Sequence, residues 1–274
     1  MDFDVLSRDG ILLLGCGRMG SALLEGWLAA GLPASAVHVR DPKPGARLEE
    51  LAAQGLTLNG DLPEAPALCL VAVKPQLMDA ALPDVAALGG GRTLIVSIAA
   101  GTPIARFEAA FGPGTPIVRS MPNTPAAVGR GITAIVGNAA ATDAHLALTE
   151  QVLSTVGEVV RLDDEDQMHA VTGVSGSGPA YVFHMIETLA AAAEAEGLAP
   201  DLALQLARAT VAGAGALATA PDAPTPDVLR RNVTSPNGTT AAGLSVLMDE
   251  ENGLPPLIRA TVAAAAARSR ELAE

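Results

Sequence analysis

Gly15-Cys16-Gly17-Arg18-Met19-Gly20 places glycines at the first, third and sixth positions of a hexapeptide that is entered from the apolar run Ile11-Leu12-Leu13-Leu14. That spacing suits a dinucleotide. The first glycine allows a sharp turn, the second lets the backbone approach a pyrophosphate, and the third lets the following helix pack closely on the strand. A helix predicted over residues 21 to 30 would aim its free N–H groups and positive dipole end at the phosphates. In a chain with 28 glycines the same hexapeptide also arises as a plain turn with no ligand. Here, however, a second strand, Val37-His38-Val39-Arg40, follows and ends at Asp41, ~20 residues beyond the last glycine, where an acidic side chain bonds a ribose 2'-hydroxyl. Arg40, Lys43 and Arg47 offer the opposite choice, positive charge for a 2'-phosphate.

Further candidates lie where other strands should end. Ligands of doubly wound sheets bind at the carboxyl ends of strands. Val73-Lys74-Pro75 closes the run Leu68 to Val73, and Lys74 is one of only two lysines; Ala99-Ala100-Gly101 follows Thr93-Leu94-Ile95-Val96-Ser97. Met121-Pro122-Asn123-Thr124-Pro125 follows Pro116-Ile117-Val118-Arg119, with an asparagine able to bond exposed backbone or a cofactor amide. A solvated loop lysine and a structural turn are the plainer readings of these stretches. Two later loops, Ser175-Gly176-Ser177-Gly178-Pro179 and Ser235-Pro236-Asn237-Gly238-Thr239-Thr240, read as helix openings with exposed N–H groups suited to a carboxylate. Ordinary helix capping is the alternative for each.

These residues need a scaffold, and the hydrophobic pattern supplies one. Through the first half, short apolar runs alternate with helical segments, the last run being Gly131 to Val136, and most are continuous, as in a parallel sheet covered on both faces. Beyond residue 162 the chain turns Ala-rich and helical, with helices predicted over Pro179 to Glu196, Pro200 to Thr219, Gly238 to Glu250 and Leu254 to Leu272. The expected organisation is an α/β Rossmann domain over residues 1–162, doubly wound with a mostly parallel sheet, followed by an all-α domain over residues 163–274.

Composition narrows the partners. A chain of 274 residues has ample core for one large or two ordinary domains. Its net charge of -13 argues against nucleic acid or an anionic membrane. The first ten residues carry three aspartates and no basic region of a secretory signal, and no apolar run nears the ~20 residues that span a bilayer, so a cytoplasmic location is expected. Cys16 and Cys69 lack metal-ligand spacing and read as packing residues; no metal site is expected.

The motifs Gly15 to Gly20, Val73-Lys74-Pro75 and Met121 to Pro125 resemble those of the pyrroline-5-carboxylate reductase family, as do Val171 to Tyr181 and Val233-Thr234-Ser235-Pro236-Asn237-Gly238-Thr239-Thr240-Ala241-Ala242-Gly243-Leu244. The last two, in that order and spacing, are the most specific, and the resemblance spans nearly the whole chain. It implies a Rossmann domain, a helical domain whose helices interleave with a second subunit, and dimers that often assemble into rings. It also implies reduction of the cyclic imine 1-pyrroline-5-carboxylate to L-proline by NADPH or NADH. By matching position, Gly15, Cys16, Gly17, Arg18, Met19 and Gly20 are similar to the pyrophosphate site. Asn59, Val73, Lys74, Pro75, Ala100 and Gly101 are similar to adenosine and nicotinamide contacts, and Asn232 to a residue on the nicotinamide side. Ser235, Gly238, Thr239 and Thr240 are similar to the substrate loop, and Glu165 to a residue reaching the same pocket. Asn237 departs from the family, which more usually has glycine there; asparagine tolerates the left-handed conformation, so the loop is expected to survive.

No catalytic acid is evident, since His169 and His184 read as packing or capping residues on helices. A protonated imine needs none: it already carries its proton, and hydride added at C5 leaves an amine, so the expected task is orientation, with Thr240 fixing the ring nitrogen. Mixed signals at Arg40 and Asp41 leave both cofactors open, with NADPH expected and NADH also used. A hydroxyacid dehydrogenase would need a catalytic lysine in the helical half, whereas Lys43 and Lys74 both lie in the first half. A nucleotide-sensing protein of the same fold would bind the cofactor without oxidising it. A homo-oligomer is expected because Ala-rich helices offer small, weakly polar faces for a partner.

Overall fold

The computed structural model describes residues 3–273. Helix α1 (Asp4–Asp9) leads into β1 (Ile11–Leu14), and α2 (Arg18–Ala29) leads into β2 (Val37–Arg40). There follow α3 (Ala46–Ala53), β3 (Thr57–Leu58), β4 (Leu68–Val71), α4 (Met78–Ala81), β5 (Leu94–Ser97), α5 (Ile104–Phe111) and β6 (Ile117–Met121). The last sheet elements are β7 (Gly131–Gly137), α6 (Asp143–Leu153) and β8 (Gly157–Arg161), and α7 (Gln167–Val171) comes next. The strands form one sheet in the order β3-β2-β1-β4-β5-β6-β7-β8. Neighbours are parallel except β6 and β7. That reversal follows from chain length: the connection from Met121 to Gly131 is too short for the crossover a parallel pair requires.

All four residues of β1 are buried, because alternate side chains enter opposite cores. Ile11 and Leu13 join Leu23, Trp27 and Val152 on one face; Leu12 and Leu14 join Val85, Phe107 and Phe111 on the other. A strand covered on both faces is why the sequence there is an unbroken apolar run. The one tryptophan, Trp27, is fully buried and satisfied by donating from Nε1 to the Val152 carbonyl at 2.9 Å. In register, Leu14 lies opposite both Arg40 and Val71, so the carboxyl ends of β1, β2 and β4 finish level.

The chain divides into two compact units, one holding the residues up to Gly176 together with those from Ala265 on, the other Ser177–Ala264. The last strand, β8, stops at Arg161, while the division between the units falls at Gly176, beyond the expected boundary at 162. The second unit holds α8 (Gly178–Ala195), α9 (Pro200–Ala218), α10 (Pro226–Asn232) and α11 (Thr239–Leu247), and α12 (Leu254–Glu271) begins within it. Among the described residues no helix is long and apolar enough to cross a membrane. Large apolar side chains of this unit are open in the single chain, Phe183 at 58% and Val246 at 72% exposure among them.

One expectation is corrected here. The helix expected behind this loop does open, as α8 at Gly178 with Pro179 in its first turn, but Ser175 and Gly176 are not an extended loop before it: Thr172–Gly176 form a π-helical turn continuing from α7, and Ser177 has helical dihedrals. Thr172 Oγ1 and Ser175 Oγ bond back to the Met168 and Val171 carbonyls at 2.8 and 3.1 Å. A Cβ on Gly176 would fall 2.5 Å from Met121 Cε, the flexible end of a side chain that would have to shift to make room.

Two histidines tie stability to pH. Burial lowers the pKa of His38, whose Nδ1 is enclosed without a partner, and burial followed by the charge of Arg119 lowers that of His169. With folded values below the unfolded value of about 6.5, the unfolded chain takes up these protons first as pH falls. Stability is therefore full above about pH 6.5 and declines as pH drops below it toward the depressed folded values. The urea midpoint is expected to be lower at pH 5.5 than at pH 7.5, and His38→Asn should remove part of that drop; equal wild-type midpoints would overturn the assignment.

Candidate active site

Each glycine of the first motif has a separate physical reason. Gly15 has φ +86° and its N–H donates to the Arg40 carbonyl at 2.7 Å, folding the chain over the end of β2; a Cβ would lie 2.9 Å from Val73 Cγ1 and 3.1 Å from the Ala72 carbonyl oxygen. Gly20 faces Gly15, whose carbonyl oxygen would lie 2.7 Å from an added Cβ, so α2 can approach β1 only without a side chain. Gly17 has no neighbour within 4 Å of an added Cβ and precedes α2, whose N-terminus carries no side-chain cap. An open face on an uncapped helix of twelve residues is where a pyrophosphate fits. Arg18 and Met19 open α2 beside it, Arg18 exposed and Met19 half-buried.

The region beyond β2 is tied together by Asp41. Its Oδ2 accepts from Cys16 N–H at 2.7 Å and its Oδ1 from Lys43 N–H at 2.8 Å. Asn59, at φ +52°, completes the knot: its Oδ1 accepts from Asp41 N–H at 3.0 Å and its Nδ2 donates to the Asp41 carbonyl at 2.9 Å. Asp41 therefore shapes the glycine turn through backbone amides rather than lying idle for a ribose. Arg40 donates from Nη2 to the Gly60 carbonyl at 3.1 Å and keeps an enclosed Nε without a partner. Arg47 is withdrawn from the phosphate-binding set, because Glu25 takes it at 2.7 and 3.1 Å and Glu50 at 3.2 Å. Cys16 is half-buried with its thiol 3.4 Å from Ser21 Oγ; burial raises its pKa, and burial pushes that of Cys69 to about 12. Both are free thiols held neutral.

Val73 packs against the glycine turn, and Lys74 and Pro75 are exposed at the turn that follows β4. Ala100 is exposed and Gly101, at φ +71°, packs near Leu272 after β5. The sheet thus gathers Gly15 to Gly20, Arg40, Asp41, Asn59, Val73, Lys74, Pro75, Ala100 and Gly101 at its carboxyl edge. Asn123 is a clamp instead: Oδ1 accepts from Ile132 N–H at 3.0 Å and Nδ2 donates to the Ser175 carbonyl at 3.2 Å, leaving it little for a cofactor amide. Glu165 Oε1 accepts from Arg119 Nη1 at 2.6 Å and from Ile104 N–H at 2.9 Å. Sequence reading missed Arg119; the available signal was a charge ending an apolar strand run.

In the second unit, Asn232 ends α10 and is exposed. Asn237 takes φ +57°, as its side chain permits, and Gly238 N–H donates to the Ser235 carbonyl at 3.1 Å. A Cβ on Gly238 would collide with Ser235 Oγ at 2.3 Å. Gly238 precedes α11 with no side-chain cap, and the first helical bond there runs from Ala242 N–H to the Gly238 carbonyl at 3.1 Å. The amides of Thr239 and Thr240 and their exposed hydroxyls are consequently presented together at a helix N-terminus. Among the described residues no group of three or more His, Cys, Asp or Glu is placed to hold a metal ion.

A glycine turn at the β1–β4 switch point of a doubly wound sheet, followed by a helical unit, defines the class as a dinucleotide-dependent oxidoreductase. Residues 165–272 match the family model for pyrroline-5-carboxylate reductase dimerisation, and residues 10–101 match that for NADP oxidoreductase, coenzyme F420-dependent. The chain belongs to the pyrroline-5-carboxylate reductase family: it is 39% identical to that enzyme of Pseudomonas aeruginosa over 272 residues, covering 98% of each chain. It is also similar to solved structures of a pyrroline-5-carboxylate reductase from Coxiella burnetii, with TM-score 0.90, 31% identity and coverage of 97% of this chain and 99% of that one. The Plasmodium falciparum enzyme with NADP bound is similar too, with TM-score 0.82, 27% identity and coverage of 98% and 99%.

Proposed function

We propose that this chain reduces 1-pyrroline-5-carboxylate to L-proline, with NADPH as the preferred donor and NADH also used. The observation that carries the reading is the Gly15 to Gly20 turn, with its open face at Gly17 on the uncapped α2, in a chain that matches the family end to end. When bound, reduced nicotinamide supplies a hydride. Gly15, Cys16, Gly17, Arg18, Met19 and Gly20 receive the pyrophosphate; Arg40 supplies charge for a 2'-phosphate, with Asp41 holding the turn. Asn59, Val73, Lys74, Pro75, Ala100, Gly101 and Asn232 contact the adenosine and nicotinamide ends. The substrate carboxylate is taken by the α11 amides with Ser235, Gly238 and Thr239, Thr240 fixes the ring nitrogen, and Glu165 is assigned to substrate by its family position.

The chain needs no proton donor because the iminium nitrogen carries its own proton and keeps it as C5 is reduced. Both helical histidines are occupied elsewhere: His169 Nδ1 lies 3.0 Å from Ser269 Oγ, and exposed His184 lies 3.0 Å from Glu187. An assay following NADPH or NADH oxidation with pyrroline-5-carboxylate tests the reading. Proline formation with a higher kcat/KM for NADPH is expected; cofactor binding without turnover would overturn the activity, and a clear NADH preference the cofactor choice. The chain is a homo-oligomer with a family dimerisation region. We infer further assembly of dimers into a ring, supported by the open apolar side chains of the helical unit; a sedimentation mass of two chains only would sink the ring. Two free thiols are in keeping with a cytoplasmic location.

A further inference from the structure

Arg119 lies on β6 with its side chain 5% exposed, and the nucleotide turn does not use it. A buried guanidinium is costly unless paired. Its partner, Glu165, spends one oxygen twice, on Arg119 Nη1 at 2.6 Å and on Ile104 N–H at 2.9 Å. Ile104 opens α5, whose N-cap, Pro103, offers no side-chain acceptor, so the Glu165 carboxylate satisfies that first helical amide at the positive end of the dipole. Directly before Ile104 runs the loop with Ala100 and Gly101, and its internal bond from Thr102 N–H to the Ala99 carbonyl is long, 3.4 Å. The loop is held from outside: by Glu165 through Ile104, and at Gly101 by Leu272, whose Cβ would lie 3.3 Å from an added Cβ.

We propose that Arg119 is a positioning residue for the nicotinamide end of the cofactor: through Glu165 it fixes the loop that carries Ala100 and Gly101. This rests on the reading of those two residues as cofactor contacts. Arg119→Met removes the buried charge and leaves Glu165, whose side chain is 31% exposed, to be solvated. Calorimetry on the intact protein with NADPH, and with 2'-phospho-ADP-ribose, which lacks the nicotinamide, separates positioning from general damage. Arg119→Met is expected to weaken NADPH about tenfold, leave 2'-phospho-ADP-ribose within about twofold, and be largely rescued in Arg119→Lys. Should Arg119→Met not fold, Glu165→Asp, which shortens the reach to both donors, carries the same expectation. Equal weakening of both ligands, or of neither, overturns the proposal. Wild-type turnover of pyrroline-5-carboxylate is measured alongside: its absence sinks the reductase reading, while turnover with unshifted NADPH binding in the variants sinks only the role of Arg119.

Discussion

Gly17→Val is expected to fold as wild type does and to lose NADPH, whereas Gly15→Ala loses both stability and NADPH. Gly17 has extended backbone angles, φ -71° and ψ -162°, which any residue adopts, and open space where its side chain would be. The cost to stability is at most that of a poorer helix cap, about 1 kcal/mol. The added side chain fills the space that lets a pyrophosphate reach the α2 amides, and hydrogen bonds to a charged group are worth about 1.5 to 3 kcal/mol each. Losing one weakens binding roughly tenfold to 150-fold, and losing two multiplies that. Gly15 differs on both counts. Its φ of +86° strains any side chain, and the Cβ meets a backbone oxygen at 3.1 Å, so a stability loss of about 1 to 3 kcal/mol is expected before any ligand is considered. Urea midpoints and NADPH titrations on the two variants check this; a destabilised Gly17→Val, or one that binds NADPH normally, would contradict the assignment of that face to phosphate.

Much of this site is legible in the sequence because local chemistry dictates it. The three glycines answer three steric demands that depend only on a strand, a turn and a helix, and Asn237 reaches its left-handed angle because an asparagine tolerates it. What the sequence hides is set by partners distant along the chain. Thr57–Leu58 is too short for any periodicity, and Gly157–Arg161 is an edge strand with three of its five residues exposed and none buried, so neither shows an apolar run. Ser175 and Gly176 have the composition of a helix opening, yet they close a π-helical turn that runs on from α7, and α8 opens two residues later at Gly178. Asp41 and Asn123 look like ligand contacts by type, and only the fold reveals that backbone amides claim them first. Arg47 is lost to Glu25 for the same reason, a partner 22 residues away.

Thr240→Val is expected to lower kcat/KM for pyrroline-5-carboxylate roughly tenfold to 150-fold, since a substrate nitrogen that binds without its hydrogen-bond partner costs about 1 to 3 kcal/mol. Gly238, before α11, lacks a side-chain acceptor, and the amides of Thr239 and Thr240 precede the first intrahelical bond at Ala242, so the first turn keeps unspent donors for a carboxylate. Valine matches threonine in shape and leaves those amides in place, removing only the hydroxyl. NADPH affinity should barely change, because the glycine turn proposed to take the pyrophosphate lies in the other unit of the chain. Thr239→Val is the neighbouring control, expected to stay within a few-fold of wild type, its part being the amide that the substitution preserves. A Thr240→Val enzyme with wild-type kcat/KM and normal NADPH binding would return Thr240 to the plain role of a first-turn helix residue. A loss shared equally by Thr239→Val would move the effect from one hydroxyl to the stability of the turn that Asn237 and Gly238 set.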